Sequence, residues 1–310
     1  SDLIFFSKYL LLCKECIKDA QQYIPDFLDT IIDKNLICIK NILTPKNSIP
    51  LFNGGHEESL EEFNKFINVL NYKHKDKKNS IGGISTFNIK NNIVYFDAGE
   101  PPKKDFSKSY QSGPLSFEYY LDGEKIITNC GFGSNISPKA KLLSRLTSAQ
   151  STLTINDTSV TKFERNKIVN KVFGNSVKNT FKIINMDFID NHEHIKLSAS
   201  HNGYEKNFGC IHKREIAVNK TTKNLVGFDE LIKKKDGKPI TYNIRFHLYP
   251  GLTALKTMGG NSVLIQLSKK KSLLFTIKNE SISLEKSIFL GRNKILENTC
   301  VTVSGNLVNK

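Results

Sequence analysis

The apolar residues of this chain change period once, near residue 75, and that change limits the folds open to it. Residues 3–23 carry apolar side chains on more than one face, with Leu10-Leu11-Leu12 central, and predict a buried helix. Pro25-Asp26 restarts the pattern. Phe27, Leu28, Ile31, Ile32, Leu36, Ile39 and Leu43 then recur at three- and four-residue spacing, predicting a second helix stopped near Pro45. Residues 57–70 predict a third amphipathic helix, acidic in its first turn as the helix dipole favours. After a Lys-rich linker at 74–79 the period shortens to two. Short runs at 84–89 and 93–96 flank an Asn-Asn turn, and 115–121 and 125–128 flank Asp122-Gly123, a strong hairpin signal. Further runs at 151–156, 181–186, 195–200, 210–218, 241–248, 262–267, 272–277 and 300–304 continue the series without a fixed repeat. Many strands joined by local turns predict a mostly β chain: a large antiparallel β-sandwich over residues 77–310, preceded by a short all-α segment over 1–76.

Charge is the second constraint. The 310 residues hold 45 Lys and Arg against 30 Asp and Glu, a formal +15, which suits an anionic partner. Only Arg145, Arg165, Arg214, Arg245 and Arg292 are arginines. Sites that grip phosphate or carboxylate in a fork favour Arg, so much of the excess reads as a solvated Lys surface. There is no basic recognition helix, RNP-like aromatic strand or zinc module, so nucleic acid is not expected as a partner. Gly131-Phe132-Gly133 opens no phosphate-binding helix, and no nucleophile elbow occurs. No stretch reaches the roughly 18 apolar residues that span a bilayer, so no membrane insertion is expected. Cys13, Cys16, Cys38, Cys130, Cys210 and Cys300 are scattered and read as buried or free thiols. The chain opens on Ser1-Asp2 directly before an apolar run, without a secretory leader pattern, and is expected to be the C-terminal part of a longer protein.

Two strands carry the chemistry. His201-Asn202-Gly203-Tyr204 precedes His212-Lys213-Arg214, and Arg245-Phe246-His247 follows. Strand alternation puts His212 with Arg214 on one face and Arg245 with His247 on another. Such strands could form a cationic, proton-handling surface, or make hydrogen bonds and ion pairs inside the sandwich. The loop Phe52-Asn53-Gly54-Gly55-His56 could meet a ligand or be a helix-connecting turn with a left-handed Gly.

Leu115-Ser116-Phe117-Glu118, the hairpin to Ile127-Thr128-Asn129-Cys130-Gly131, Ser148-Ala149-Gln150-Ser151-Thr152-Leu153 and the run His201-Asn202-Gly203-Tyr204 to His212-Lys213-Arg214 occur in order. Together they resemble the C-terminal region of the heparinase II/III-like polysaccharide lyases, over roughly residues 80–305. Residues 1–75 are similar to the last helices of that family's α/α-toroid, whose larger part is then absent from this chain. The resemblance implies β-elimination on a uronate-containing acidic polysaccharide, the implied partner. A base removes the C5 proton and an acid protonates the leaving oxygen. It implies a periplasmic or secreted location, with a cytoplasmic one left open.

The chain departs from the family pattern His-x-His-x-Asp-x-Leu-Ser-Phe, reading Ser109-Tyr110-Gln111-Ser112-Gly113-Pro114-Leu115-Ser116-Phe117. Ser109 stands at the catalytic histidine, and Gln111, Asn129 and Gln150 stand at the metal ligands. Amides keep hydrogen bonding but lose charge and metal affinity, so no metal or other cofactor is expected. The resemblance leaves Tyr110, His201 and His212 as catalytic candidates, and Asn53, His56, Tyr204, Arg214, Arg245 and His247 as substrate-binding candidates. The alternative is a non-catalytic glycan-binding or structural β-sandwich protein.

Overall fold

The computed structural model describes residues 2–73, 80–164, 166, 168, 170, 174–234 and 239–307. The linker at 74–79 and the expected boundary at 76/77 lie outside the described residues. Three helices open the chain: α1 (Asp2–Asp19), α2 (Asp26–Ile42) and α3 (Glu61–Val69). The extended backbone of Pro25 separates the first two, and Asp26 and Asp29 favour the start of α2. Their shared core is Leu11, Leu28, Ile32, Leu36, Ile39, Phe63 and Ile67.

Two expectations are corrected here. Helix α1 is not buried: only Ser7 and Leu11 are enclosed, while Phe5, Phe6 and Tyr9 are 65%, 53% and 51% exposed. The neighbouring helices cover one of its two apolar faces. Helix α3 begins at Glu61, not residue 57. The Glu57 N–H donates to the Gly291 carbonyl at 2.6 Å and the Leu60 N–H to the Asn47 carbonyl at 2.7 Å, so this segment is committed to tertiary bonds.

The strands are β1 (Ser80–Ile81), β2 (Ile84–Ile89), β3 (Asn92–Asp97), β4 (Phe117–Leu121), β5 (Glu124–Thr128), β6 (Leu153–Ile155), β7 (Ile183–Asp190), β8 (His194–His201), β9 (Cys210–Asn219) and β10 (Leu225–Lys233). They continue with β11 (Ile240–Leu248), β12 (Thr253–Lys256), β13 (Ser262–Ser268), β14 (Lys271–Thr276), β15 (Ser281–Phe289) and β16 (Leu296–Leu307). All named pairings are antiparallel. A nine-stranded sheet runs β1-β2-β3-β4-β5-β11-β16-β15, with β6 also on β11. A four-stranded sheet runs β10-β9-β8-β7 and a three-stranded sheet β12-β13-β14.

The two larger sheets form the sandwich. Val94, Phe96, Phe117 and Ile126 from one meet Leu197, Ala199, Ile216 and Val218 from the other. Tyr95 and Tyr120 point the opposite way, toward the helices, and pack with Phe52. Strand β3 is thus covered on both faces, which is why Ile93-Val94-Tyr95-Phe96 reads as an unbroken apolar run. The Tyr95 hydroxyl donates to the Leu43 carbonyl at 2.7 Å, fixing α2 against this outer face. The three-stranded sheet packs Val263 and Ile265 against Ile282, Val301 and Val303.

The strand expected from residue 115 starts at Phe117 instead. Leu115 is buried with a left-handed φ of 59°, a strained conformation for a side chain with Cβ. Its N–H donates to the Asp97 carbonyl at 2.8 Å, and its carbonyl accepts from Arg214 Nη1 at 3.0 Å. Strands β1, β10, β12 and β15 were not anticipated from the sequence.

Candidate functional site

The alternation of β9 places His212 and Arg214 on one face, and that face is interior: both are buried, as is His201 on β8. The pairing of His201 with His212 in register brings their rings together. His201 Nδ1 accepts from the Gly203 N–H at 3.1 Å, so its proton sits on Nε2 and is donated to His212 Nδ1 at 3.2 Å. His212 Nε2 then donates to Asp229 Oδ1 at 2.7 Å. Arg214 forks onto the same carboxylate, Nε to Oδ1 at 2.7 Å and Nη2 to Oδ2 at 3.1 Å, and Nη1 reaches the Leu115 and Ser151 carbonyls. Burial pushes the pKa of His201 far down, and the nearby His212 and Arg214 add to this. Burial also lowers His212. Burial opposes the charge of Asp229, yet Arg214 and His212 outweigh it and hold the carboxyl below its usual range.

The arrangement therefore departs from the expected catalytic and ligand-binding roles. His201, His212 and Arg214 spend their polar atoms on the protein. Tyr110 is likewise enclosed, and burial, then Asp97, raise its pKa. The Tyr204 hydroxyl is buried against the Leu153 carbonyl at 3.0 Å. His247 donates from Nε2 to the Ser148 carbonyl at 3.1 Å and meets the Ser287 hydroxyl through Nδ1 at 2.9 Å; burial lowers its pKa to about 4. Arg245 is half-buried and paired with Asp157 at 3.0 Å. A cavity of about 360 Å³, lined by Leu143, Leu146, His247, Lys286 and Ile288 among others, has no Phe, Tyr or Trp for a sugar ring to stack on.

A different set of polar groups meets at the seam between the helices and the sandwich. The loop from α2 to α3 turns at Asn53 and Gly54, with φ of 47° and 88°. Gly54 lies so close to Ser109 that a Cβ there would fall 2.7 Å from the serine Cβ. Asn53 Oδ1 accepts from the Gln111 N–H at 3.3 Å, and the Gly54 N–H donates to Gln111 Oε1 at 3.0 Å. Gln111 Nε2 donates to the Gly131 carbonyl at 3.1 Å and the Ser144 carbonyl at 2.8 Å, where Gln150 Nε2 also donates at 2.8 Å. Asn129 Oδ1 accepts from the Ser151 N–H at 2.8 Å.

This donor set does not fit a metal. The amide N–H groups of Gln111 and Gln150 converge on one carbonyl, and a cation needs lone pairs there. Among the described residues no group of three His, Cys, Asp or Glu could hold a metal ion.

The other end of the loop is held by charge. Glu57 meets Lys125 Nζ at 3.3 Å, Arg292 Nε at 2.8 Å and the Tyr249 hydroxyl at 2.8 Å. Lys125 is buried and also lies 3.1 Å from the buried Glu118. Both Lys125 contacts miss hydrogen-bond angles and are ionic. Burial opposes the Glu57 charge, but Lys125, Tyr249 and Arg292 prevail and lower its pKa. Between these anchors sits His56, half-buried, its ring 6.1 Å from that of Phe132. Its Nδ1 is buried with no partner, and burial lowers its pKa.

Asp97 also belongs to this region and was missed in the sequence. It closes β3, is buried, and receives the Gly99 N–H at 3.0 Å. Burial raises its pKa to about 7, with Gly99 and Asn53 opposing. An acid directly after the apolar run Ile93-Val94-Tyr95-Phe96 was the available signal.

Comparison with known proteins bears on the family and the fold. The family model "Heparinase II/III-like, C-terminal" matches residues 74–307. FtsZ-localized protein C of Caulobacter vibrioides is 25% identical over 200 residues, covering 62% of this chain and 34% of that protein. The heparan sulfate lyase HepC of Pedobacter heparinus superposes with a TM-score of 0.75 at 14% identity, over 98% of this chain and 50% of that one. A heparinase III structure gives 0.72 at 15% identity, again over 98% and 50%. The chain thus spans about half the length of these lyases and a third of the curated relative, and at such identities the structural likeness establishes the fold alone. With its model matched across almost all of the strand region, the chain belongs to the heparinase II/III-like family.

Proposed function

We propose that this chain recognises a uronate-containing acidic polysaccharide at the seam that carries the Asn53–His56 loop and Ser109. The observation that supports this most is the contrast in exposure: Asn53 is exposed and His56 and Ser109 are part-exposed, whereas Tyr110, His201 and His212 are enclosed. Both flanks of the Asn53–His56 loop are anchored in buried groups, Gln111 on one side and Lys125 on the other. Such support pre-orders a binding surface and reduces the entropy lost on binding. A positive chain adds long-range attraction for polyanions.

Calorimetric titration with heparan sulfate, chondroitin sulfate, alginate and neutral dextran tests the reading. Saturable binding to an anionic glycan, weakened tenfold or more by Asn53→Ala, is expected. Equal affinity for dextran or for DNA of matched charge would count against it.

A second reading is a non-catalytic binding module. The amides at positions 111, 129 and 150 favour it, as does the higher identity to FtsZ-localized protein C than to the lyases. Co-sedimentation with FtsZ polymers, without glycan binding, would support that reading instead.

A further inference from the structure

The nine-stranded sheet ends on β15, and among the described residues no strand lies beyond it. The ladder decides which backbone groups of β15 face outward. The Arg245 N–H points to the Thr152 carbonyl at 3.1 Å, away from β16, so Ile244 and Phe246 bond β16 through Val303 and Val301. Thr302 and Cys300 then bond β15 through Ser283 and Glu285, and Leu284, Lys286 and Ile288 turn N–H and C=O outward. The outward groups are occupied at both ends of the strand. The Ile282 carbonyl accepts from Lys256 Nζ at 2.7 Å, and the Leu290 N–H donates to the Cys130 carbonyl at 2.6 Å. Between these caps no described residue bonds them. The cavity of about 360 Å³ touches Lys286, Ser287 and Ile288. Successive side chains of a strand alternate between faces, so three in a row on one cavity mean that it runs along the edge. Leu143 and Leu146 complete its apolar lining, and Leu143 and Ile288 are 42% and 39% exposed.

An open edge is a template for another strand. A second copy of β15 fits it poorly. Antiparallel pairing about the middle of the open stretch sets Lys286 opposite its own copy, or Glu285 opposite its own, and like charges directly opposite repel. Registers shifted toward either end run into the occupied groups of Ile282 or Leu290. We propose that residues 284–288 of β15 dock an extended peptide segment of a different protein, which adds to the sheet as an antiparallel strand. An acidic residue opposite Lys286 and a basic one opposite Glu285 complement the two charges. Apolar residues lie opposite Leu284 and Ile288. The residue opposite Ser287 places an apolar side chain in the cavity, which Leu143 and Leu146 also line. About five residues fill the gap between the caps. Main-chain bonds supply the affinity, and the order apolar-apolar-acidic-basic-apolar supplies the choice of partner. This docking does not depend on polysaccharide recognition.

The probe is the peptide acetyl-Thr-Ile-Val-Glu-Arg-Leu-Thr-amide, titrated by fluorescence anisotropy against the 310-residue chain. Saturable binding is expected, about tenfold or more tighter than for a scrambled peptide of the same composition. N-methylation of the Glu amide, which faces β15, should weaken binding about tenfold or more, and N-methylation of the Val amide, which faces away, less than about threefold. Lys286→Glu should lose the probe about tenfold and gain the peptide with Lys in place of its Glu. Lys286 is exposed, so this variant keeps the fold. Amide exchange at Leu284, Lys286 and Ile288 should slow about tenfold on binding, while the already bonded Ser283 and Glu285 change little. Absence of saturable binding, equal affinity for the scrambled or Glu-methylated peptide, or an unmoved preference in Lys286→Glu would each overturn the proposal. So would slow exchange at these three amides that deepens with protein concentration in the free chain, which would assign the edge to a second copy.

Discussion

His247 is a neutral imidazole in the interior, and the consequence is acid sensitivity. Its pKa is about 4 in the fold against about 6.5 in the unfolded chain. The unfolded chain therefore binds more protons in this window, and stability present above pH 6.5 is lost as pH falls toward 4. The complete loss is about 3 kcal/mol for this residue. His201 and His212 are shifted in the same direction by burial. Asp97 works oppositely: its raised pKa of about 7 means that stability is lost as pH rises from about 4 through 7. Three imidazoles outweigh one carboxyl, so urea unfolding should show a net loss of stability from pH 7 to pH 5. His247→Gln should flatten that slope by about 1.4 kcal/mol per pH unit. Asp97→Asn should add up to about 4 kcal/mol at pH 8 and nothing at pH 4. A pH-independent midpoint would contradict the buried-neutral assignment of these histidines.

Elements place these residues, and elements were unequally readable. The pairing of His212 with Arg214 follows from the period of two on β9. Asp229, the partner of both, did not emerge, because Leu225-Val226-Gly227-Phe228-Asp229-Glu230 on β10 breaks the alternation with a glycine and an acidic pair. A strand whose pattern is blurred hides the charge it contributes. Lys125 is the same problem at longer range: it looks like a hairpin lysine, and only Glu57 and Glu118, brought in by two other segments, bury it. Removing one member of such a cluster strands the others. Asp229→Ala leaves a buried Arg214 uncompensated, and Lys125→Met leaves Glu57 and Glu118 facing each other; each should cost about 3–5 kcal/mol. Lys125→Met should also loosen the loop that carries His56, read as faster amide exchange at residues 52–58. Unchanged exchange there would mean that Gln111 holds the loop unaided.

At the scale of the molecule, charge and apolar surface pull in different directions. The +15 chain repels copies of itself, and at ordinary salt that repulsion is screened beyond about 8–10 Å. Helix α1 meanwhile exposes Phe5, Phe6, Tyr9 and Leu12, with Phe5 and Tyr9 rings 4.6 Å apart, and Tyr23 and Phe27 are exposed just beyond it. The exposed α1 side chains are those left over once Leu11 has been taken into the helical core, and apolar surface of this kind drives association. The all-round apolar pattern of α1 was legible; that half of it faces solvent was not, because what covers a face is decided by the rest of the fold. Light scattering should therefore show the 310-residue chain associating as salt rises from low to physiological strength, where screening removes the repulsion but not the apolar attraction. Phe5→Lys with Phe6→Glu should abolish that association and leave the thermal midpoint within a few degrees, since neither side chain is part of the helical core. Association that persists in this double variant would place the contact elsewhere, with the cross-strand row Leu255, Leu264 and Leu274 on β12, β13 and β14 the next surface to substitute.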